Sequence, residues 1–157
     1  MTPSARALVT GFCSTLIVAT SISWALAHSG ATGVMKERMD LMKGMGDAMK
    51  VMGAMFKNEA PFEPAIVAEK ASFLRDHAGS IGKLTPEGSN DHPSEALPAI
   101  WQAWSDYVAS ADELAEESAK LAAIAGDGAD LDEARAQYLK LGKTCGSCHD
   151  RFRKPKD

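Results

Sequence analysis

Residues that favour β-strands are scarce in this sequence. After the first 27 residues the chain contains only four Val, four Ile and three Thr, while Ala, Met, Leu, Glu and Lys dominate. β-Branched residues are enriched in strands, whereas the residues that are abundant here are good helix formers. The composition therefore argues against a sheet-based fold and predicts an all-α protein.

An excess of positive charge is also absent. The chain has 17 Lys and Arg against 21 Asp and Glu, which gives a net charge of −4. Nucleic-acid binding depends on clustered positive charge, so this balance argues against a DNA- or RNA-binding protein. No Ser/His/Asp or paired-carboxylate pattern stands apart from ordinary surface charge, and we therefore expect no enzyme active site.

The first 27 residues have the pattern of a secretory signal peptide. Arg6 supplies a positive start, residues 8–24 are mostly apolar, and Ala25-Leu26-Ala27 is a small-x-small pattern at which a signal peptidase cuts. A retained membrane anchor is the alternative, but the apolar run contains several Ser and Thr and is short for a membrane span. The pattern predicts export to the periplasm with loss of residues 1–27.

The predicted mature chain, residues 28–157, is long enough for one domain with one core. Loss of Arg6 leaves 16 Lys and Arg against 21 Asp and Glu, or a charge of about −5. Cys13 is discarded with the signal peptide, so two of the three cysteines remain. No stable membrane anchor is expected in this part of the chain.

Prolines, glycines and polar clusters divide the mature chain into four helical stretches. Asp130, with Glu133 three residues later, has the pattern of a capping box at the start of the last stretch. Four amphipathic helices joined by short connections pack as antiparallel neighbours, so we expect an up-and-down four-helix bundle. The stretches cover residues 34–57, 61–84, 94–125 and 130 to just before Pro155.

Apolar stripes at helical spacing indicate which sides of these helices face the core. Cys145 and Cys148 fall on the apolar stripe of the last helical stretch. His77 falls on the stripe of the second stretch. In the third stretch we expect Trp101 and Trp104 to be core anchors. The stripe of the first stretch consists of Met35, Met39, Met42, Gly46, Met49, Gly53 and Phe56.

The motif that carries the chemistry is Cys145-Gly146-Ser147-Cys148-His149. C-x-x-C-H is the attachment motif of c-type haem. On a helix, positions i, i+3 and i+4 share one face, so both thiols can reach the two vinyl groups of one porphyrin while the adjacent imidazole points at the iron. The motif predicts one haem c per chain, attached covalently through the two cysteines and ligated by His149.

Three other interpretations of the two cysteines are weaker. A thioredoxin-like redox pair belongs at the start of a helix after a strand, and no strand is predicted. Zinc requires four protein ligands, and no second cysteine pair exists to complete them. A disulfide between Cys145 and Cys148 would close a loop too short to stabilise the fold much.

With its haem motif near the C-terminus of a four-helix bundle, the chain resembles the class II cytochromes c, the cytochrome c′ family. The resemblance covers the whole mature chain. It rests on the haem motif followed by residues 150–153 (DRFR), on Arg38 with Met42 four residues later, and on residues 100–104 (IWQAW). It implies a haem held between the first and last helices and attached in the periplasm. Several members of the family are homodimers, so a homodimer is an open alternative here.

The resemblance also implies roles for two arginines. Arg38 would pair with a haem propionate, since a charge at this position is poorly solvated without an anionic partner. Arg153 matches the arginine that follows the motif in the family and would lie near the haem. The alternative for both residues is an ordinary solvated side chain.

The family divides at the sixth coordination position of the iron, which corresponds to Met42. Members with an apolar residue there keep a five-coordinate iron that binds small gases, whereas a low-spin branch supplies a methionine. Methionine ligation would make an electron carrier with a raised potential. The alternative is that Met42 fills core space like its neighbours, with Met39 or Met49 as substitute ligands.

The leading hypothesis is therefore a periplasmic one-electron carrier that exchanges electrons with redox proteins. A five-coordinate protein that binds NO or CO is the second hypothesis, and it requires an open sixth site. Copper binding by the Met-rich first helix is the third.

Overall fold

The computed structural model describes residues 30–128 and 130–155, so the predicted signal peptide lies outside the described residues. The described residues form helices and contain no β-strand apart from an isolated bridge between Ala96 and Arg153. The predicted all-α fold class is confirmed. The helices are α1 (Gly33–Phe56), α2 (Pro64–Ala78), α3 (Ser80–Lys83), α4 (Ala99–Gln102), α5 (Trp104–Gly126) and α6 (Leu131–Phe152).

The four long helices, α1, α2, α5 and α6, form the predicted bundle, and α3 and α4 are single turns in the connection between α2 and α5. α2 packs along α5, α5 along α6, and α1 along α2. Within the described ranges, no helix is both long and apolar enough to cross a membrane. The largest fully buried apolar side chains of the core are Met52, Val67, Leu74, Leu121 and Leu141.

The start of the third predicted stretch is not helical, which corrects its boundary from residue 94 to Ala99. Residues 94–97 bond instead to the end of α6: the Leu97 amide donates to the Phe152 carbonyl at 2.9 Å, and the Lys154 amide donates to the Glu95 carbonyl at 2.8 Å. These hydrogen bonds to a segment distant in sequence take the place of the hydrogen bonds that residues 94–97 would form within a helix. The second stretch likewise divides at Gly79, a residue with low helix propensity.

The N-cap of α6 is Asp130, as predicted, but its hydrogen bond differs from that of a capping box. Its side-chain oxygen accepts from the amide of Asp132 at 2.7 Å. A capping box uses the amide of the third helical residue, which is Glu133 here. The cap still satisfies one of the unpaired amides at the helix start.

The buried side of α1 is rotated away from the predicted stripe. Met45, Ala48, Met52 and Met55 are the buried apolar residues of this helix, together with Gly53 and Phe56 from the stripe. The other stripe residues, Met35, Met39, Met42, Gly46 and Met49, are only half-buried.

Candidate haem-binding site

Cys145, Cys148 and His149 lie in the last two turns of α6 and are all half-buried. Cys145 and Cys148 are not joined in a disulfide, and both side chains pack against the hydrophobic core. The prediction that they share the inward side of the last helix is therefore confirmed. Because they are one helical turn apart on one face, the two sulfurs are arranged to attach to a single flat group.

Burial raises the pKa of both thiols. For Cys145 this effect outweighs a hydrogen bond with Thr144, and for Cys148 it outweighs a hydrogen bond with Ser110 on α5. A redox-active pair needs at least one thiol of lowered pKa, so the thioredoxin-like interpretation receives no support.

Among residues 30–128 and 130–155, no group of three or more His, Cys, Asp or Glu could hold a metal ion, so the zinc interpretation receives no support either.

Contacts between α1 and α6 fix the register of these two antiparallel helices. The Tyr138 hydroxyl donates to the Met49 carbonyl at 3.0 Å, and Arg135 Nε donates to the Phe56 carbonyl at 3.0 Å. A Cβ built on Gly142 would lie 3.9 Å from the Met49 Cε atom. These contacts all lie in the second half of α1 and the first two-thirds of α6.

Extending this register brings Met42 to the level of His149. Both helices rise by about 1.5 Å per residue, and Met42 is seven residues before Met49, just as His149 is seven residues after Gly142. The same extension sets Gly46 level with Cys145. The sixth-ligand candidate and the predicted fifth ligand are therefore at the same height on facing helices.

The α1–α6 contact is tighter at the Gly53–Tyr138 end of the pair than at this level. A Cβ built on Gly53 would lie 2.7 Å from the Tyr138 hydroxyl, whereas one built on Gly46 or Gly146 would have no neighbouring heavy atom within 4 Å. Met35, Met39 and Met42, which are half-buried residues of the α1 stripe, lie beyond Gly46 from that tight contact. Two thiols, an imidazole and a thioether between two apolar helix faces are a donor set that fits haem c.

Arg38 is buried, with 6% of its surface exposed. Its guanidinium donates to the Leu84 carbonyl at 3.0 Å, to Ser89 Oγ at 2.7 Å, to Ser94 Oγ at 3.0 Å and to the Ser89 carbonyl. Burial lowers the pKa of Arg38. The solvated alternative is wrong, and the acceptors are neutral oxygens from one loop. The predicted contact with a propionate stays a prediction.

Arg153 follows α6 directly, and its Nε atom lies 2.8 Å from Oε2 of Glu95. Its amide donates to the His149 carbonyl at 3.1 Å, which continues the last turn of the helix. Glu95 had no recognisable sequence pattern to mark it as a partner. The role of Arg153 near a propionate also stays a prediction.

Two aromatic assignments from the sequence are wrong. His77, which the sequence places on the core-facing stripe of the second stretch, is exposed, with Nδ1 2.8 Å from the Phe73 carbonyl oxygen. Trp104 is 40% exposed and is not a core anchor, although its ring centroid lies 5.7 Å from that of buried Tyr107. Trp101 is half-buried and packs against the core, as expected.

Comparisons with known proteins find similar sequences and structures in one family. Residues 33–153 match the sequence model of the family described as Cytochrome C′. Cytochrome c-554 of Cereibacter sphaeroides is 36% identical over 120 residues, which cover 74% of this chain and 77% of the relative.

Solved structures show the same similarity. Cytochrome c′ from Rhodopseudomonas palustris superposes with a TM-score of 0.74 at 30% identity, over 81% of this chain and all of that one. A nitric oxide complex of the L16I mutant of cytochrome c′ from Alcaligenes xylosoxidans gives a TM-score of 0.69 at 25% identity, over 78% and 94% of the two chains. The chain therefore belongs to the cytochrome c′ family and carries a covalently attached haem c.

Proposed function

We propose that this protein is an exported one-electron carrier whose haem is attached through Cys145 and Cys148 and whose iron is ligated by His149 and Met42. The observation that best supports this proposal is the register of α1 and α6, which sets Met42 level with His149.

Each residue has a separate part in this function. When bound, the haem supplies the Fe(II)/Fe(III) couple. Cys145 and Cys148 retain the group covalently, so loss of an axial ligand does not release it. The His149 imidazole and the Met42 thioether are donors that together favour Fe(II) and raise the reduction potential. No side chain has to donate or accept a proton, so electron exchange with a redox protein requires no catalytic residue.

A gas-binding haem protein is the second candidate function. It is favoured by one observation, the structural similarity to a cytochrome c′ that was solved as a nitric oxide complex. This function requires an iron without a sixth protein ligand. The two candidates therefore differ in one testable property, namely whether Met42 occupies the position that a gas would take.

The proposed location is the periplasm, which follows from the signal-peptide pattern of residues 1–27 and from the need to attach haem outside the cytoplasm. The proposed partners are periplasmic redox proteins. A homodimer remains the alternative to a monomer, and sedimentation of the purified protein distinguishes the two.

An absorption spectrum of periplasm-expressed protein in both oxidation states tests the proposed function. A six-coordinate, low-spin iron with a weak near-infrared band in the oxidised state, and no change when carbon monoxide is added to the reduced state, supports the electron carrier. A high-spin spectrum with carbon monoxide binding contradicts it and favours the gas-binding protein.

A further inference from the structure

Residues 84–97, which connect α3 to α4, contact both α1 and the end of α6, and we call this segment the brace. On the α1 side its contact is Arg38, whose guanidinium hydrogen-bonds to Leu84, Ser89 and Ser94. These bonds join residues 46 to 56 positions apart in sequence. A planar guanidinium can satisfy several acceptors in a fixed geometry, so Arg38 holds the brace in a defined orientation to α1.

On the α6 side the brace is joined to residues 152–154. Two backbone bonds form a short antiparallel bridge there, from Leu97 to Phe152 at 2.9 Å and from Lys154 to Glu95 at 2.8 Å. Lys154 Nζ also donates to the Ser94 carbonyl at 3.0 Å, and the Arg153–Glu95 ion pair reinforces the same junction.

Ser94 is the residue at which the two sets of contacts meet. It is 3% exposed, its hydroxyl accepts from Arg38 at 3.0 Å, and its carbonyl accepts from Lys154 at 3.0 Å. A chain of direct hydrogen bonds therefore runs from the first half of α1 through Ser94 to the end of α6.

We propose that the brace positions Met42 against the haem iron by fixing the distance between α1 and the end of α6. Arg38 is one turn before Met42, and the Arg153 amide bonds to the carbonyl of His149 itself. The brace thus links Arg38, through its side chain, to the residues that directly follow the helical turn of His149. This inference rests on the proposed function, and Arg38, Ser94 and Lys154 act in it as positioning residues.

The expected consequence of weakening the brace follows from competition at the iron. If Met42 dissociates more often, a gas that binds only the open state gains apparent affinity in proportion to the population of that state. Loss of one hydrogen bond of ordinary strength would raise the apparent carbon monoxide affinity of the reduced protein roughly fivefold. The reduction potential would fall at the same time, because thioether ligation favours Fe(II).

The test uses the full holoprotein with three variants, Arg38→Lys, Ser94→Ala and Lys154→Ala. Lysine keeps the charge of Arg38 but cannot bond to several acceptors in the same geometry. Leu121→Ala is the control for a general loss of stability. Leu121 is fully buried near the C-terminal end of α5, whereas the brace precedes the N-terminal end of that helix, so this substitution should destabilise the fold without touching the brace. For each protein we would measure the near-infrared band, the carbon monoxide affinity and the reduction potential, with a thermal melt for stability.

Four results decide the proposal. A weaker band, a higher carbon monoxide affinity and a lower potential in all three variants, with the control unchanged in these properties, support it. Changes in Arg38→Lys alone would overturn it and favour a direct propionate contact, and no change in any variant would also overturn it. A parent that is already high-spin would overturn both this proposal and the proposed function, whereas a low-spin parent with unaffected variants overturns only the brace.

Discussion

Gly53 of α1 lies directly against Tyr138 of α6, so closely that a Cβ on the glycine would come within 2.7 Å of the tyrosine hydroxyl. That hydroxyl donates to the carbonyl of Met49 at 3.0 Å. The contact joins the two helices that bear Met42 and His149, and it fixes the register on which the proposed ligation depends.

Gly53→Ala should destabilise the protein. Overpacking at this contact costs about 1–3 kcal/mol, and most of that range is larger than the roughly 1 kcal/mol that alanine gains in helix propensity. The free energy of unfolding in urea measures the net effect. In a Tyr138→Phe background the hydroxyl is gone and the nearest ring carbon lies at an ordinary 3.6 Å. There the same substitution should be neutral or stabilising; an equal loss in both backgrounds would show that the contact is not the cause.

The Cys145→Ala, Cys148→Ala double variant should lose covalent haem, because no thioether bond can form. A haem stain of a denaturing gel should show a coloured band for the parent and none for the variant. Ser147→Ala, at an exposed position between the two cysteines, is the matched control and should keep the band. A stained band in the double variant would contradict the assignment of the attachment residues.

Met42→Leu should convert a low-spin protein into a high-spin one. Leucine has nearly the same volume, so a change can be attributed to the lost thioether rather than to packing. The oxidised variant should lose the near-infrared band, and the reduced variant should bind carbon monoxide and have a lower potential.

Met39→Leu and Met49→Leu are the controls for Met42, because both residues belong to the same half-buried stripe. Each should keep the low-spin spectrum of the parent. If Met42→Leu also keeps that spectrum, Met42 is not the ligand, and if one of the controls loses it instead, that methionine takes its place.

Glu117 should contribute stability that is lost in acid. Hydrogen bonds from Lys120 and Gln137 hold the pKa of Glu117 below its ordinary value of 4.5 in the folded protein. A carboxyl whose pKa is lowered by folding stabilises the fold above its unfolded pKa, and this contribution disappears as the pH falls through the folded pKa.

The measurement is the difference in urea midpoint between pH 7 and pH 3. Glu117→Gln should show a smaller difference than the parent, because glutamine has no charge to lose. Glu116→Gln, which removes the same charge from an exposed position on α5, controls for the change in net charge. If the two variants behave alike, the hydrogen bonds of Glu117 do not contribute to the pH dependence.

Export should produce a mature chain that begins at His28. N-terminal sequencing of the periplasmic protein measures this directly. Replacement of Ala27 by a large residue such as Tyr should block or shift the cut, because signal peptidase requires small side chains there. A protein that keeps its first 27 residues and sediments with membranes would instead support the anchor.

The haem motif and the four helices could be predicted because both depend on residues close together in sequence. The spacing of Cys145, Cys148 and His149 sets their relative positions on any helix, and Asp130 marks the start of α6 in the same local way. The fold class followed from a composition poor in strand formers. Met42 could be proposed as a ligand from its distance to Arg38 and the family resemblance, but no local pattern distinguishes it from Met39 or Met49.

The remaining features were decided by tertiary structure. Periodicity predicted an apolar stripe on α1, yet buried apolar residues of this helix, Met45 and Met52 among them, lie off that stripe, whereas Met42 on the stripe is only half-buried. A helix pattern cannot show which neighbour each side will meet, because this depends on the relative rotation and register of helices far apart in sequence.

The partners of Arg38 illustrate the same limit. The sequence alone determined that an arginine stands one turn before Met42 and that, if buried, it would need compensating partners. Only the fold showed that oxygens of Leu84, Ser89 and Ser94 meet this need, because serines in a loop have no spacing that identifies a distant arginine. Local rules thus specify helices and a haem motif, whereas contacts between segments about 50 residues apart arise only when the whole chain packs.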